Sequence, residues 1–322
     1  MQFFFRCFSF QVRLAANFSI YLGLLSVCSL HADLFDFLKK AENKSDRHSM
    51  RNIDFIYMIN LDQRPEKFLI SSHFLILYSI YPYRFSAVNG WELPIESLVD
   101  IGVKYGPWMT GGHWGTCYPP EQKGEPQHEI IEEVGKTYFS HCMSRGAIGI
   151  VLSHLSVLKD AYDSGYQTIW VMEDDVEVIR NPHLLSDLIE ELDQLVTPEG
   201  WDILFTDRDT KSQAGQYVAC TAFAWRPNFD PANPSQFTIQ KEIDANFRKI
   251  GARYGAYSMI VRRSGMKKIL DFFKRYQLFL PFDMEYTLVP NIKLFTVTSD
   301  VVSTIPQALS DNGAPNYKNI PK

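Results

Sequence analysis

The sequence has few cysteines, and their spacing argues against a zinc site. Five cysteines occur in 322 residues, and two of them, Cys7 and Cys28, lie in the first 32 residues. The other three, Cys117, Cys142 and Cys220, show no C-x-x-C spacing, which structural zinc sites commonly use. Two alternatives remain for these three. Either Cys117 and Cys142 form a disulfide in an exported domain, or the cysteines are buried free thiols.

The sequence also lacks an excess of basic residues, internal repeats and low-complexity tracts. It contains 32 Lys and Arg against 37 Asp and Glu, a formal net charge of −5. This balance argues against non-specific nucleic-acid binding, which depends on basic surfaces. The apolar share of 46% and the charged share of 21% are typical of a globular protein with a sizeable core. The length allows one large or two modest domains.

Acidic residues are missing from the first 32 positions, where Arg6 and Arg13 precede an uncharged stretch at 14–32. This layout is typical of a secretory signal peptide, for which Ala32 is an acceptable cleavage position. The stretch is slightly shorter than the roughly 20 residues that span a bilayer. We therefore predict a cleaved signal, and thus the secretory pathway or cell envelope. The alternatives, an uncleaved signal-anchor associated with a membrane or a misassigned start codon, predict the cytoplasmic side.

The rest of the chain divides into a short polar segment and one domain. Residues 33–52 are polar and charged and indicate a linker, whereas residues 53–322 predict a single domain. Strand-like apolar runs occur at 53–61, 83–88, 168–172, 201–205, 257–261 and 292–298. Helical patterns lie between them, the clearest being an apolar stripe over 148–162 at i, i+3, i+4, i+7 spacing. This alternation indicates an α/β fold with a central, mostly parallel sheet flanked by helices.

Two stretches show little periodicity. Residues 102–127 are rich in Gly, Pro, Trp and Tyr, which indicates a long loop that acts as a lid or as an acceptor surface. Residues 214–249 are irregular and polar. Loops held by a rigid sheet commonly carry specificity, so acceptor choice is expected to depend on the regions 102–140 and 211–250.

The most informative stretch is an apolar run at 169–172 that ends in Glu173, Asp174 and Asp175. The run predicts a buried strand, which places the three carboxylates at its C-terminal end. Ligands bind at that end of the strands in open α/β sheets. Adjacent carboxylates repel one another unless a divalent cation or a cationic substrate neutralises them. The alternative is a solvated acidic turn.

Several segments together resemble a known family. They are IYMINLDQRPEK with FSAVNG at 56–90, GAIGIVLSHLSVLKDAYDSGYQTIWVMEDDVEV at 146–178, WDILF with YGAYSMIVRRSGMKKIL at 201–270, and PFDMEY at 281–286. Their order and spacing resemble glycosyltransferase family 25, the lipopolysaccharide and procollagen galactosyltransferase group, over roughly residues 53–290.

The resemblance implies a GT-A-like, Rossmann-related fold and an inverting transfer of galactose or glucose. The donor would be a UDP-sugar, and the acceptor a hydroxyl of a glycan, a lipopolysaccharide or a hydroxylysine-type protein. It also implies a Mn²⁺ or Mg²⁺ ion that neutralises the UDP leaving group.

The carboxylates after two of the strands are the candidate ligands of that cation. Asp175 is the strongest, and Glu173 joins it in an E-x-D version of the D-x-D pattern. Glu173 and Asp174 are also expected to contact the UDP-sugar. Asp207 and Asp209 form a literal D-x-D after a later strand. They are either part of a metal site or a salt-bridged surface turn.

Four further residues are candidates for donor binding. Asn60 and Arg64 match the family's first strand and turn, and an arginine fork suits phosphate. The alternative for Arg64 is an exposed helix start. Asn89 either shapes the nucleotide pocket or, with Gly90, only turns the chain. His154 lies at the edge of the apolar stripe, and it is either close to the sugar-phosphate or structural.

Inversion also requires a base that deprotonates the acceptor hydroxyl. Asp283 in PFDMEY is the first candidate for this base and Glu285 the second, and the alternative for each is a cap or a salt-bridge partner. One departure from the family pattern is Ala147, which stands where relatives usually carry an acidic residue. Two other functions stay open. One is a catalytically silent relative that binds a glycan or a partner, which Ala147 makes plausible. The other is a phosphohydrolase that uses the two acidic clusters as a two-metal site.

Overall fold

The computed structural model describes residues 33–212, 214–306 and 308–319. The predicted signal or anchor at 1–32 lies outside these ranges. Within them, no helix has both the length and the apolar character that crossing a bilayer requires.

The described elements comprise strands, helices and short 3₁₀ turns. The strands are β1 (Phe55–Asn60), β2 (Tyr83–Ser86), β3 (Val103–Lys104), β4 (Trp114–Cys117), β5 (Gln127–Ile130), β6 (Thr137–Ser140), β7 (Thr168–Glu173), β8 (Val176–Val178), β9 (Ile203–Phe205), β10 (Thr210–Lys211), β11 (Tyr217–Val218), β12 (Gln240–Glu242), β13 (Phe247–Ile250), β14 (Ser258–Arg262), β15 (Leu294–Val297) and β16 (Val302–Thr304). The helices are α1 (Pro65–Ile76), α2 (Ile95–Ile101), α3 (Arg145–Asp163), α4 (Leu184–Val196), α5 (Arg263–Tyr276) and α6 (Phe282–Glu285).

Eight strands form the central sheet in the order β12-β13-β15-β9-β14-β7-β1-β2. Three neighbouring pairs are parallel, β1 with β2, β1 with β7 and β9 with β15. The other four pairs are antiparallel. The α/β class is confirmed, but the prediction of a mostly parallel sheet is wrong. A parallel neighbour needs a crossover, usually a helix, and the described chain between β9 and β14 contains only strands, turns and loops.

The central strands are buried on both faces, which explains their continuous apolar runs. In β1, Phe55, Tyr57 and Ile59 belong to the same core cluster as the apolar stripes of α3 and α5. Ile56 and Met58 point to the opposite face and pack in a second cluster with residues of α1 and α4. The sheet is therefore a middle layer between two pairs of helices.

The stretch 102–127 is not the long loop that the sequence predicts, because the region 102–140 contains four strands. Its strands β3, β4, β5 and β6 form a second, antiparallel sheet in the order β3-β6-β4-β5. Val103, Ile131, Tyr138 and Phe139 are buried in its core. Strands of two to four residues are too short to show a clear period of two in the sequence. The irregular stretch at 214–249 likewise contains β11, β12 and part of β13.

The three cysteines of the domain are free thiols. Cys117 and Cys220 are buried, whereas Cys142 is exposed. The disulfide between Cys117 and Cys142 is therefore absent from the described residues, and the alternative of buried thiols holds for two of the three.

The expected linker at 33–52 packs closely against the domain. Leu34 is buried, and the backbone N–H of Lys39 donates to Ser156 Oγ at 2.9 Å. Lys44 Nζ lies 2.8 Å from Asp160 Oδ2. The charged residues that suggest a linker in the sequence thus contact α3.

Two glycines allow the chain after β2 to press against α3. A Cβ on Gly149 would lie 2.6 Å from Gly90 N and 2.6 Å from Val88 O. A Cβ on Gly90 would lie 1.8 Å from Arg145 O. Since these neighbours are backbone atoms, they cannot rotate away, and the glycines set the distance between the two segments.

Gly149→Ala is expected to lower the free energy of unfolding by about 1–3 kcal/mol, the usual cost of overpacking. A glycine-to-alanine change inside a helix ordinarily stabilises by about 0.5–1 kcal/mol. A decrease in the free energy of unfolding would therefore distinguish the close approach from the ordinary helix effect. Urea denaturation measures the difference. Gly313→Ala is the matched control, because a Cβ there would meet nothing within 4 Å. An equally stable or stabilised Gly149→Ala variant would contradict the close approach.

Candidate functional site

The carboxyl ends of β1, β2 and β7 meet at one edge of the central sheet, because the three strands are parallel neighbours. A cavity opens at this edge. Five predicted site residues line it, and they are Asn89, His154, Glu173, Asp174 and Asp175. We call it the first cavity. It lies where open α/β sheets bind their ligands.

Glu173 is the last residue of β7 and contacts His154 of α3. His154 Nε2 lies 3.1 Å from Glu173 Oε1, and because an ionised carboxylate only accepts, the imidazole donates. The imidazole also stacks on Phe282, with ring centroids 4.3 Å apart. Its Nδ1 is buried without a hydrogen-bond partner among the described residues. His154 therefore orients Glu173 at the cavity wall.

Asp174 is held from behind by Asn60. Asn60 Nδ2 donates to Asp174 Oδ2 at 2.6 Å and to the Arg64 carbonyl at 2.8 Å, while its Oδ1 accepts from Arg84 Nε at 2.7 Å. Asn60 is buried and does not line the first cavity. The structure thus places Asn60 as a support for Asp174 rather than as a direct donor contact. On the cavity side, Lys67 Nζ lies 3.8 Å from Asp174 Oδ1.

Asp175 has the carboxyl group of the acidic run with a buried oxygen that lacks a hydrogen-bond partner among the described residues. Its Oδ1 is buried and has no hydrogen-bond partner in the part of the chain that the structure describes. Burial, followed by the charges of Glu173 and Asp174, raises the pKa of Asp175 to about 7. A buried carboxyl group beside two others is unfavourable as an anion unless a cation neutralises it. Glu173, Asp174 and Asp175 are half-buried, so the acidic run is not a fully solvated turn.

The acidic run fits a cation only as a partial site. Within 33–212, 214–306 and 308–319, no three His, Cys, Asp or Glu side chains are grouped as a ready-formed metal site. Mg²⁺ is commonly bound by one or two carboxylates together with substrate phosphates and waters. The unpartnered oxygen of Asp175, with Glu173 beside it, fits this second kind of site.

Arg64 is neither exposed nor part of the cavity lining. It is buried, with Nη1 2.6 Å from Asp311 Oδ2 and Nε 2.6 Å from Glu66 Oε1. Both predictions for Arg64, a phosphate contact and an exposed helix start, are therefore corrected to a buried ion pair. The ion pair anchors the segment 308–319.

This C-terminal segment forms one wall of the first cavity through Ser310, Asp311 and Asn312. Trp91 Nε1 donates to the Asp311 carbonyl at 2.9 Å. Asn89 Nδ2 donates to Tyr317 Oη at 3.0 Å, and Asn89 also caps the 3₁₀ turn Gly90–Glu92. Asn89 therefore both turns the chain and lines the cavity, whereas binding of a nucleotide there stays a prediction.

The D-x-D at Asp207 and Asp209 is a structural feature. Arg253 Nη2 lies 2.5 Å from Asp207 Oδ1, and Tyr257 Oη donates to Asp207 Oδ2 at 2.6 Å. Arg248 Nη2 lies 2.5 Å from Asp209 Oδ2. Both carboxylates are buried and neutralised by arginines, so the metal-ligand role predicted for them is not supported. The alternative of a salt bridge is correct, although it is buried rather than on the surface.

The two candidate bases have different surroundings. Glu285 is fully buried and forms an ion pair with Arg226, and its Oε2 accepts from the backbone N–H of Leu280 at 2.6 Å. Glu285 is therefore a salt-bridge partner, and its predicted catalytic role is not supported. Asp283 Oδ2 accepts from Gly255 N–H at 2.9 Å. Burial raises the pKa of Asp283, partly offset by backbone hydrogen bonds.

A second cavity, of about 560 Å³, connects Asp283 with the acidic run. Glu173 lines both this cavity and the first one. Ala147 also lines the second cavity, one turn inside the N-terminus of α3, where Ser144 Oγ accepts from Ala147 N–H at 3.0 Å. Asp283 and Glu173 thus face one space, in which Ala147 contributes only a methyl group.

Some lining residues are missed by sequence reasoning. Lys67 stands within the quoted motif at 56–67 and in the first turn of the helix after β1, which was a usable signal. Trp91 directly follows the Asn89-Gly90 turn. The segment 308–319 gave no signal, because it lies beyond the region of family resemblance.

Comparison with known proteins gives a consistent result. A family model described as "Glycosyltransferase family 25 (LPS biosynthesis protein)" matches residues 53–285. The chain is 25% identical over 175 residues to a "Glycosyltransferase 25 family member" from Drosophila melanogaster. It is 26% identical over 180 residues to a protein with the same description from Aedes aegypti. The matches cover 54% and 56% of this chain but 24% of each relative, so the matched part spans about a quarter of these curated relatives.

Among solved structures, "Crystal Structure of A197 from STIV" aligns with a TM-score of 0.31 and 12% identity. The alignment covers 52% of this chain and 73% of that chain. A TM-score of this size supports no inference about the fold.

Proposed function

Because the chain belongs to glycosyltransferase family 25, we propose that it transfers a hexose, galactose or glucose, from a UDP-sugar to an acceptor hydroxyl with inversion, on a GT-A-like fold. The carboxylate run Glu173–Asp175 at the edge of the first cavity carries this proposal. It would hold a divalent cation that neutralises a diphosphate, beside Lys67. Through the shared residue Glu173, the run adjoins the cavity that contains the candidate base, Asp283.

Asp175 and Glu173 are the residues that would hold a divalent cation, Mn²⁺ or Mg²⁺. When bound, the cation would neutralise the charge that develops on the UDP leaving group. Lys67 contributes a second positive charge at the same wall. Asn60 and His154 fix the carboxylates from behind, so little reorganisation is needed when the donor binds.

Asp283 is the proposed base. Its carboxylate removes the proton of the acceptor hydroxyl, whose oxygen then attacks the anomeric carbon of the donor. A raised pKa favours this role, because a stronger base accepts the proton more readily. Gly255 N–H keeps one carboxylate oxygen of Asp283 in place.

Release of UDP from UDP-galactose and UDP-glucose, measured with Mn²⁺ and then with EDTA, tests the proposal. We expect UDP release that depends on the cation and is faster with an acceptor present. If purified protein releases no UDP from either donor under any of these conditions, the enzymatic proposal is wrong.

A catalytically silent binding protein is the second candidate, and the observation behind it is Ala147. The second cavity has only a methyl group where family relatives usually carry an acidic side chain. UDP-galactose that binds in calorimetry without UDP release would favour this candidate. The two-metal phosphohydrolase has little support, since Asp207 and Asp209 are already paired with arginines.

Lys67→Ala is expected to raise the KM for the UDP-sugar about tenfold, because it removes a positive charge that faces the diphosphate. Steady-state kinetics with varied UDP-sugar measure the change. Lys267→Ala is the matched control, since Lys267 is an exposed lysine paired with Asp271 on the surface of α5. Equal KM values for the two variants would exclude Lys67 from donor binding.

A further inference from the structure

A third cavity, of about 450 Å³, opens beside Asp283. Asp283 lines both this cavity and the second one, just as Glu173 lines both the first and the second. The three cavities therefore follow one another, with Glu173 at the first junction and Asp283 at the other. The donor-binding proposal uses the first two cavities and leaves the third without a role.

The walls of the third cavity include two exposed aromatic side chains. Phe223 is 37% exposed and Tyr254 is 39% exposed, and both line the cavity. Phe223 is held by Phe237, with ring centroids 4.6 Å apart. Tyr254 directly precedes Gly255, whose N–H donates to Asp283. Tyr254, whose ring lines the cavity, is therefore the chain neighbour of the residue that holds the base in place.

The backbone conformation at position 255 requires glycine. Its φ is +78°, a left-handed conformation that residues with a Cβ rarely adopt. A Cβ on Gly255 would also lie 2.6 Å from the Tyr257 ring. This conformation turns the chain so that two adjacent residues serve the site. Tyr254 supplies an aromatic ring to the cavity, and Gly255 supplies the N–H that hydrogen-bonds to Asp283.

We propose that the third cavity is the acceptor subsite and that it binds the terminal sugar of a carbohydrate acceptor. This inference rests on the proposed function, because it locates the acceptor of the same transfer. A sugar ring has an apolar C–H face that can pack on aromatic rings such as those of Tyr254 and Phe223. Its hydroxyl groups point outward from the ring edge, and one of them reaches Asp283.

The charges at the third cavity argue against an anionic ligand. Arg253 lines the cavity, but its guanidinium is paired with Asp207. Asp283 is the other charged residue that lines this cavity among the described residues, and its role is to accept the proton. The exposed aromatic walls suit the apolar face of a sugar ring, so a hydroxylysine-type peptide is the less favoured acceptor.

The transfer balances with the groups present. The acceptor oxygen forms a bond to the anomeric carbon, while the bond from that carbon to the UDP oxygen breaks. The electron pair of the broken bond leaves with UDP. The hydroxyl proton moves to Asp283.

Saturation-transfer NMR with the methyl glycosides of galactose, glucose and N-acetylglucosamine tests the subsite on the full chain. We expect at least one glycoside to bind the wild type, and Tyr254→Ala and Phe223→Ala each to weaken its binding about tenfold. Tyr81→Ala is the matched control. Tyr81 is 41% exposed but precedes β2, so it lies toward the opposite edge of the sheet, and binding should be unchanged.

Three results would overturn the subsite. They are no glycoside binding to the wild type, equal binding by all variants, and binding of a hydroxylysine-containing peptide in place of the glycosides. Thermal melts confirm that the variants fold, and Tyr254→Leu replaces Tyr254→Ala if the latter does not. Acceptor-independent UDP release should be the same in wild type and Tyr81→Ala. Absence of that release from the wild type would refute the proposed function, whereas the NMR result judges the subsite separately.

Discussion

Asp175→Asn is expected to lower cation-dependent UDP release about 100-fold or more. A metal-held leaving group gains several kcal/mol of stabilisation, and each 1.4 kcal/mol changes the rate about tenfold. Asparagine keeps the size of the side chain but removes its charge. Glu177→Gln is the matched control, since Glu177 lies two residues after the acidic run, on β8, paired with β16, and should retain activity. Unchanged UDP release in Asp175→Asn would remove the cation site from the mechanism.

The same variant should change how stability depends on pH. The pKa of Asp175 is about 7 in the folded state against about 3.9 for an ordinary Asp. Protonated Asp175 therefore stabilises the fold, fully so below about pH 4, and this contribution is lost as the pH rises through 7. In the absence of a cation, we expect the melting temperature of Asp175→Asn minus that of the wild type to be more positive at pH 8 than at pH 6.

Mn²⁺ should act in the opposite sense. A cation competes with the proton for the Asp175 carboxylate. The rise in melting temperature that Mn²⁺ produces should thus be larger at pH 8 than at pH 6 in the wild type, and small at both values in Asp175→Asn. Equal shifts in the two proteins would show that Mn²⁺ binds elsewhere.

Asp283→Asn is expected to lower kcat by about 10²- to 10⁴-fold, the usual contribution of a positioned base. The KM for the UDP-sugar should change little, because Asp283 faces the acceptor side. Burial raises the pKa of Asp283, so the acidic limb of the wild-type pH–rate profile should lie above the usual carboxyl range, and the variant should lose it. A kcat within threefold of wild type would assign the base elsewhere.

Glu285 lies two residues after Asp283, and Glu285→Gln tests whether Glu285 serves stability rather than catalysis. Glu285 and Arg226 are fully buried as an ion pair, and removing one charge from such a pair costs about 3–5 kcal/mol. We expect a large loss of unfolding free energy in urea, but a near-normal kcat for the fraction that stays folded. Asp283→Asn should show the reverse pattern. If both variants lose kcat with stability intact, Glu285 also takes part in the chemistry.

The central elements of the fold could be predicted because their signals are local. The run at 169–172 and the apolar stripe of α3 each report burial through a few neighbouring residues. The carboxylates of Glu173, Asp174 and Asp175 follow directly from the end of such a run. The family assignment is confirmed for the same reason, since ordered local segments carried it.

The misassigned residues depend on partners far along the chain. Asp207 and Arg253 are 46 residues apart, and Glu285 and Arg226 are 59 apart. A carboxylate in a motif looks the same in the sequence whether an arginine or a metal neutralises it. The direction of β14 also depends on tertiary structure, because the loop before it is compatible with a parallel or an antiparallel pairing with its neighbours.

The Arg64–Asp311 ion pair anchors one wall of the first cavity. The two residues are 247 positions apart, and Asp311 belongs to a segment that the ribosome makes after all strands of the central sheet. All strands of the central sheet and the acidic run lie before position 308. One wall of the first cavity is therefore made by residues that contribute no strand to the sheet. A chain that stopped before 308 would keep every strand of the sheet but would leave Arg64 without the Asp311 carboxylate and the cavity without that wall.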